Sequence, residues 1–584
     1  MSTLVDLCAW ALALDPADAP PEVPRAMRLQ MLSTVAATTV GLAADDVSAV
    51  LALARTRPGP FSVAPGASEM DVEGALAAAA GLVSVDSYDD WLLTARPGPS
   101  VWAVWLTAAE LERSWEDTFR AQLAVNELLS RLGGLTLPGV REGRSRIWLH
   151  AAGAALATSM LLDLDAEQAA HAIGTAVAGA ARPHRSIELG SGHLVAVGEA
   201  VLLGRRCAFL AARGLEGPSH GFDPGAHVVG RLAGGRPLRH WLTGLGSAWL
   251  TTSLSFGVTP GGPLNACAVE AVLELLSAAE EETGGPLKSS DVLRVDVEAT
   301  VLTCARARHF ELRADAPASD RFSPGLTQRS LPRAIAAAVE HGRFTPDELR
   351  PAALEKVVVG AADLPGRVHT HHEWQLSLRT WDALKTALGG EGLFDGLGPR
   401  GIARLIAGRT GGMAWMELPF ALAADAMQTT GHDIRDFPAE LADDPGAVLA
   451  RGVQVAADWA AKRMERLFLG PPLGGEEGPI AATTFDLADQ AWERFALPLP
   501  ARVKVLLHGG RVLEAERDHP FGSPARPPEE TLAKVFEKWL AAGPSDDTQR
   551  WSEIARGLVA VDGSLPSLPE GGPRVLLKRL TASD

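Results

Sequence analysis

The chain has 584 residues, 47% of them hydrophobic and 21% charged, and its formal net charge is −17. A chain of this length is too long for one ordinary hydrophobic core, so we expect two or three domains. The excess of negative charge argues against nucleic acid and anionic membrane as partners.

The cysteines and the N-terminus indicate the cellular compartment. The 4 cysteines lie far apart without a CxxC pair, so the sequence predicts neither a disulfide framework nor a zinc site. The N-terminal segment carries Asp6 and has no basic region, which is untypical of a signal peptide. No apolar run is long enough to cross a membrane without a charge or a proline. We therefore expect a cytoplasmic protein with no membrane partner.

The first ~250 residues have the apolar spacing of helices, interrupted by proline and glycine. Asp165 and Gln168 have the spacing of a capping box at the start of one of these helices.

Within this region, the segment 84–91 follows an Ala-rich predicted helix and holds three carboxylates, Asp86, Asp89 and Asp90, beside the only tyrosine, Tyr88. Taking a carboxylate out of water is costly unless it is paired. Two interpretations are open: a helix end that reaches solvent, or an acidic site at the mouth of a cavity.

The pattern changes after Ser290. Apolar and polar residues alternate from Leu293 to Val301 and predict a strand with one buried face. The apolar run 354–359 predicts a second strand, and Pro346 at a first helical position predicts a helix between the two strands.

The C-terminal part contains a hairpin pattern. Residues 502–507 and 511–515 flank His508-Gly-Gly510, which is typical of a β-hairpin, and a final helix is predicted after Pro527-Pro528. The helix-like segment 375–500 separates this hairpin from the earlier strands, so we interpret it as an inserted helical subdomain.

Several segments occur in the order of the landmarks of one known family. In chain order they are Arg28–Ala37, Ser84–Trp91, Leu161–Ala170, Gly198–Ala200, Ala211–Pro218, Arg329–Ala337 and Val505–Pro524. Together they resemble the MmgE/PrpD family, which includes 2-methylcitrate dehydratase, cis-aconitate decarboxylase and related epimerases. The resemblance covers the chain except for the predicted insertion.

The resemblance implies a mainly α fold with an α+β lid. Residues 1–258 and 526–584 would form a large helical domain, residues 259–374 and 501–525 would form the lid, and residues 375–500 would be a helical insertion in the lid. It also implies a homodimer, a small-molecule substrate in a cleft between the domains, and no cofactor.

The chain departs from the family at positions that the resemblance places in the active site. The replacements are Ser87 for an aspartate, Trp91 for a threonine, His193 for a lysine, Gly257 and Thr259 for the lysine and tyrosine of one motif, and Arg333 for a tyrosine. Each buried substrate carboxylate needs a cation as partner. A family histidine also falls on Gly98, and a second has no counterpart in register. The loss of lysines and histidines therefore predicts a less anionic and more apolar ligand than a di- or tricarboxylate.

The candidate site residues follow from the resemblance and from side-chain chemistry. Asp89, Asp90 and His193 are candidates for acid/base catalysis. The candidates for substrate binding are Tyr88, Trp91, Arg182, His184, Arg185, Thr259 and Arg333. Each set has a structural alternative: the carboxylates could cap backbone amides, His193 could line a helix entry, and the basic turn 182–185 could be solvated.

Two sequence patterns contain residue types that can bind a metal ion. His369 and His371 would share one strand face, and the segment 86–90 weakly resembles an acidic magnesium motif. Neither a defined third ligand nor a second acidic motif accompanies them, so we predict no metal.

Three hypotheses for the function remain open. The first is a cofactor-free acid/base enzyme of MmgE/PrpD type that performs elimination, isomerisation or cyclisation on a biosynthetic intermediate. The second is a non-catalytic dimeric scaffold that retains the fold. The third is a dehydratase or decarboxylase of a small di- or tricarboxylate. An enzyme should have a pocket with converging polar groups, whereas a scaffold should have a collapsed one.

Overall fold

A computed structural model describes residues 2–44, 47–65, 67–85, 87–93, 95–137, 145–180, 192–223, 226–233, 237–311, 323–388, 495–560, 563–568 and 570–581. Over these residues the chain is mainly helical with two small β-sheets, which confirms the predicted mainly α class with an α+β part. None of the described helices combines the length and the apolar character that crossing a membrane requires.

Helices dominate the part of the chain before residue 250, as predicted. The helices there are α1 Thr3–Leu12, α2 Glu22–Gly41, α3 Ser48–Ala54, α4 Val72–Leu82, α5 Gly98–Glu110, α6 Trp115–Leu135, α7 Trp148–Leu161, α8 Ala166–Ala180, α9 Gly192–Ala211 and α10 His227–Leu232. The capping box before α8 is confirmed, because the N–H of Gln168 donates to Asp165 Oδ1 (2.8 Å) and the N–H of Asp165 donates to Gln168 Oε1 (3.2 Å).

Small residues allow the central helices to pack closely. A Cβ atom on Gly204 of α9 would lie only 2.2 Å from the carbonyl oxygen of Ala151 on α7, and one on Gly198 would lie 2.8 Å from the carbonyl oxygen of Ala77 on α4. Side chains larger than hydrogen at these two positions would therefore push α9 away from both neighbours.

The remaining helices and the strands follow in the second half of the chain. The helices are α11 Pro263–Thr283, α12 Val301–Glu311, α13 Pro324–Thr327, α14 Leu331–His341, α15 Pro351–Gly360, α16 Trp374–Leu388, α17 Pro528–Ala542, α18 Thr548–Leu558 and α19 Gly572–Thr581. The strands are β1 Trp91–Leu92, β2 Leu254–Ser255, β3 Val292–Ala299, β4 Val368–His372, β5 Ala501–Leu507 and β6 Val512–Arg517. The two helices after α17 were not predicted.

The larger sheet has the strand order β4-β3-β5-β6. The strand predicted over 293–301 is confirmed as β3 for Leu293–Ala299, although Leu293 is exposed and Val301 begins α12. Strand β3 pairs with β4 in parallel and with β5 antiparallel. Its alternating residues Val295 and Val297 are fully buried. The predicted hairpin is confirmed as β5 and β6, and Gly509 and Gly510 supply the positive φ angles of the turn (104° and 84°).

Two predictions in this region need correction. Residues 354–359 are not a strand but part of the helix α15, which begins at Pro351 and buries Leu354 and Val357 while Val358 and Val359 are exposed. A short apolar run does not distinguish a strand from a helix, and here a proline in the first turn and burial at positions three apart favour the helix. The helix predicted at Pro346 is a single 3₁₀ turn.

Within the described residues, buried hydrophobic side chains form two cores. The first core takes residues from Leu4 to Phe256 and again from Leu532 to Leu580, so both ends of the chain contribute to it. The second core takes residues from Cys267 to Val368 and from Ala501 to Leu507. The exact domain boundaries stay a prediction. Of the predicted insertion, residues 389–494 lie outside the described residues.

Helix α17 returns from the second core to the first and packs against α2. Its residues Val535 and Trp539 are fully buried, and the Trp539 ring stacks on Trp551 of α18 with 4.2 Å between ring centroids. Each indole N–H donates to the backbone carbonyl of the other tryptophan (2.8 and 2.5 Å). This anchoring fixes the position of the neighbouring Lys538.

Candidate functional site

The acidic segment turns inward after α4. Ser87 has a left-handed backbone (φ 49°), and β1 then pairs with β2. Tyr88 is buried, and Asp89 and Asp90 have no exposed surface at all. The interpretation of this stretch as a helix end that reaches solvent is therefore wrong for residues 88–90, while Asp86 lies outside the described residues.

Asp89 is held by an arginine seven residues further along the chain. Arg96 Nε donates to Asp89 Oδ2 (2.8 Å) and Nη2 donates to Oδ1, so the guanidinium grips the carboxylate with two hydrogen bonds. The same guanidinium lies 5.0 Å from the centroid of the Trp91 ring. Both carboxylate oxygens of Asp89 are thus engaged inside the protein.

Asp90 belongs to a second buried network, with Ser33 and Thr34 of α2 and Lys538 of α17. Ser33 Oγ donates to Asp90 Oδ1, and Thr34 Oγ1 donates to Oδ2 (3.4 Å). Lys538 Nζ donates to Ser33 Oγ (2.7 Å) and to the carbonyl oxygens of Tyr88 (2.6 Å) and Gly257 (2.7 Å). Three oxygen acceptors match the three protons of a charged ammonium group.

Burial and pairing act in opposite directions on this lysine and aspartate. Burial raises the pKa of Asp90, and the charge of Lys538 and the hydroxyl of Ser33 oppose that rise. Burial likewise lowers the pKa of Lys538, and the charge of Asp90 opposes the fall. Removing either partner of such a buried pair would leave the other charge buried and unpaired, which is strongly destabilising.

A cleft of about 1210 Å³ lies beside this network. It is bounded by α11, by the end of β6 and the loop that follows, and by α17. Tyr88 and Thr259, two of the predicted substrate-binding residues, line it together with Lys538. The cleft thus lies between elements of the first and second cores.

Glu270 of α11 also lines the cleft and is only 3% exposed. Its Oε1 accepts a hydrogen bond from Thr259 Oγ1 (2.6 Å), and its Oε2 accepts one from the backbone N–H of Phe521 (2.8 Å). Burial raises the pKa of Glu270 to about 7, against the opposing effect of these hydrogen bonds and of Arg517 and Arg526. A carboxyl group of this kind exchanges a proton near neutral pH.

Three cations surround one aromatic ring at the side of the cleft. Arg517, Arg526 and Lys534 lie 4.3, 5.5 and 4.9 Å from the centroid of the Phe521 ring. Each also has a carboxylate partner: Arg517 Nη2 pairs with Glu274 (2.7 Å), Arg526 with Glu530 (2.5 Å) and Lys534 with Glu537 (2.6 Å).

The other predicted site residues that the structure describes do not line this cleft. His193 Nε2 lies 3.4 Å from the carbonyl oxygen of Ser84, and Arg333 Nη1 donates to Ser330 Oγ (3.1 Å). Trp91 lies against Gly262 and under Arg96. The predicted residues Arg182, His184 and Arg185 lie outside the described residues.

The histidine strand is β4, as predicted. The rings of His369 and His371 lie on one face with 6.4 Å between their centroids, and His371 Nε2 is 3.6 Å from Asp296. Among the described residues, no group of three His, Cys, Asp or Glu side chains is arranged to hold a metal ion.

Sequence reasoning missed Glu270, Arg517 and Lys538. Glu270 carried a usable signal, because it is a single charge within the apolar helical run 266–273. Lys538 carried none, since its helix alternates charged and apolar residues like any surface helix.

A comparison with curated proteins finds no match. Residues 5–240 match the family model of the MmgE/PrpD N-terminal domain, a dehydratase-like enzyme fold. The matched range contains α2, the buried carboxylates Asp89 and Asp90, and His193. Residues 5–240 are therefore an N-terminal domain of MmgE/PrpD type.

Proposed function

We propose that the chain is an acid/base enzyme of MmgE/PrpD type that acts on a small molecule in the cleft between α11, β6 and α17. The reaction class is elimination, isomerisation or cyclisation, which proton transfer alone can drive without a cofactor. The observation that carries the proposal is Glu270: a buried carboxyl at the wall of the cleft whose pKa of about 7 suits a general base at neutral pH.

Glu270 is positioned for this role by its two hydrogen bonds. Thr259 and the Phe521 amide each engage one carboxylate oxygen, and each oxygen retains a second lone pair that can accept a proton from a substrate carbon. We assign Lys538 a positioning role, because all three of its protons are donated to protein oxygens. Through those bonds it fixes the backbone of Tyr88 and Gly257 next to the cleft.

We also assign a positioning role to Asp89 and Asp90, the two carboxylates predicted as catalytic. Asp90 neutralises Lys538, and Asp89 holds Arg96, so both act on the site by fixing the segment 87–92. Asp89 and Asp90 have no exposed surface through which to touch a substrate.

The lining of the cleft supports a ligand with little negative charge. Of the residues that the structure describes, seven acidic ones line the cleft, against five lysines and arginines. A di- or tricarboxylate would therefore meet an excess of negative charge in the lining. The volume of about 1210 Å³ and the apolar walls formed by Leu273, Phe344 and Phe521 leave room for an apolar body. These features favour a less anionic biosynthetic intermediate.

The scaffold alternative predicts a collapsed cleft, and an open one of this volume argues against it. A cytoplasmic homodimer, as expected from the sequence and the resemblance, remains part of the proposal.

The proposal is tested by hydrogen exchange, which needs no knowledge of the product. The purified protein is incubated in D₂O with a panel of hydroxy acids, keto acids and their esters, and carbon-bound deuterium is measured by mass spectrometry. We expect protein-dependent exchange on a member with an apolar body, and a ~10²–10⁴-fold loss in Glu270→Gln. The matched control is Glu282→Gln, an exposed glutamate on the same helix outside the cleft lining, which should exchange at the wild-type rate. Full exchange in Glu270→Gln would refute the proposed base.

A further inference from the structure

Arg517 is an unusual side chain in the cleft wall. It lies at the end of β6 and is only 9% exposed. Its Nη2 donates to Glu274 Oε2 (2.7 Å), but Nε and Nη1 form no hydrogen bond within the part of the chain that the structure describes. Nη1 lies 3.7 Å from Glu270 Oε2, which is an ion-pair distance beyond hydrogen-bond length. Two donors of a buried guanidinium therefore lack an acceptor.

A second unsatisfied atom lies two residues further along. His519 also lines the cleft, and its buried Nδ1 has no hydrogen-bond partner among the described residues. Buried polar groups are normally satisfied, and each one left without a partner destabilises the fold. Arg517 is thus prepared for a group that brings acceptor atoms into the cleft, and His519 can donate to the same group when its proton is on Nδ1.

We propose that Arg517, His519 and Phe521 form a subsite for one oxyanion group, a carboxylate or a phosphate, of a ligand whose apolar body occupies the rest of the cleft. The proposal rests on the proposed function in that it names the substrate class of the same cleft. The unsatisfied nitrogens of Arg517 are donors only, so the missing partner is an acceptor and not a cation.

The surrounding charges limit the subsite to one anion. Arg526 and Lys534 are each paired with a carboxylate, Glu530 and Glu537, whereas Nε and Nη1 of Arg517 have no hydrogen-bond acceptor among the described residues. A charge-assisted hydrogen bond to a guanidinium is about twice as strong as a neutral one, so one oxyanion at Arg517 would be held well. A second oxyanion would meet Arg526 and Lys534, which already have carboxylate partners.

The subsite also orients the ligand for the proposed chemistry. A group bound to Arg517 Nη1 lies next to Glu270, since the nitrogen and the Glu270 carboxylate are 3.7 Å apart. The carbon beside the oxyanion would then be presented to the proposed base, and the positive charge of Arg517 would stabilise negative charge developing on that group.

The experiment measures binding by titration calorimetry, independently of turnover. The probes are 4-phenylbutyrate, its uncharged amide 4-phenylbutyramide, and inorganic phosphate, each added to the full-length wild-type protein. We expect the carboxylate to bind at least about tenfold more tightly than the amide, and Arg517→Gln to lose at least about tenfold of the carboxylate affinity. The matched control is Arg511→Gln, an exposed arginine at the hairpin turn, which should bind like the wild type.

A second variant protects the test if Arg517→Gln does not fold. Glu274 is 57% exposed in its side chain, so Glu274→Gln should fold. It removes the negative charge that pairs with Arg517, so this variant should bind the carboxylate more tightly than the wild type. Phosphate that competes with 4-phenylbutyrate would identify a phosphoryl ligand, and carboxylate binding without such competition would identify a carboxylic acid.

Equal affinities for acid and amide, or an unchanged affinity in both Arg517→Gln and Glu274→Gln, would overturn the subsite. The outcome is separable from that of the proposed function. Carboxylate binding that depends on Arg517, without any deuterium exchange, would support the subsite and contradict the proposed enzyme activity. Deuterium exchange that depends on Glu270 but not on Arg517 would support the enzyme activity and contradict the subsite.

Discussion

The buried carboxyl of Glu270 makes the stability of the second core depend on pH, and Glu270→Gln should abolish that dependence. Glutamine fits the site, because its oxygen can accept from the Phe521 amide while its NH₂ donates to the Thr259 hydroxyl. The protonated glutamic acid makes the same pattern of hydrogen bonds. The substitution therefore removes the titration and leaves the packing in place.

The size of the effect follows from the two pKa values. Burial raises the pKa of Glu270 from 4.5 to about 7, so between these values the folded state keeps a proton that the unfolded state releases. Stability is therefore fully present below about pH 4.5 and is lost as the pH rises to about 7, at about 1.4 kcal/mol per pH unit. The total loss is about 3 kcal/mol in the wild type. Glu270→Gln should not show it.

The measurement is urea unfolding of wild type and Glu270→Gln from about pH 4.5 to about pH 8. A chain of this size unfolds in more than one step, so the transition that includes the second core is the one to compare. Asp90 and Glu127 also have raised pKa values, but both are present in each protein and cancel in the difference. The variant should gain about 3 kcal/mol on the wild type across this range. A difference that stays constant with pH would refute the reasoning, and the exposed control Glu282→Gln should give such a constant difference.

Three further predictions concern the scaffold around the cleft. Asp90→Asn or Lys538→Met alone should each lower the free energy of unfolding by about 3–5 kcal/mol, because one charge stays buried and unpaired. In a double-mutant cycle the double variant should lose less than the sum of the two single losses. Strictly additive losses would contradict an interaction between Asp90 and Lys538. Asp89→Asn should lower the melting temperature through the loss of about 1.5–3 kcal/mol of bonding to Arg96, with deuterium exchange retained; a loss of exchange at unchanged melting temperature would instead make Asp89 catalytic. Gly204→Ala should destabilise the helical core by about 1–3 kcal/mol, and a stability equal to wild type would show that α7 and α9 can separate freely.

Secondary-structure features that depend on residues close together in the chain could be predicted from the sequence. The capping pair before α8, the alternation of β3 and the Gly-Gly turn of the hairpin depend on neighbours within a few residues. The run 354–359 was misread because an apolar stretch of that length fits a strand and a helix equally, and only its burial against the second core decides.

The order of several sequence segments was enough to show the family resemblance. It did not predict which side chains meet in the cleft. Tyr88 and Thr259 were named from the resemblance and line the cleft. Asp89 and Asp90 were named for chemistry, while the structure shows their oxygens engaged by Arg96, Ser33 and Thr34.

By itself the sequence determined the helical class, the strands β3, β5 and β6, and the presence of an unusual acidic segment, because periodicity and turn chemistry act over short distances. Only the tertiary structure decided what that segment does. Lys538 reaches the carbonyl oxygen of Tyr88 from 450 residues away in the chain, and Glu270 meets Phe521 from 251 residues away. The protonation of these groups depends on which distant segments exclude water from them, and that is a property of the packed chain and not of any stretch of it.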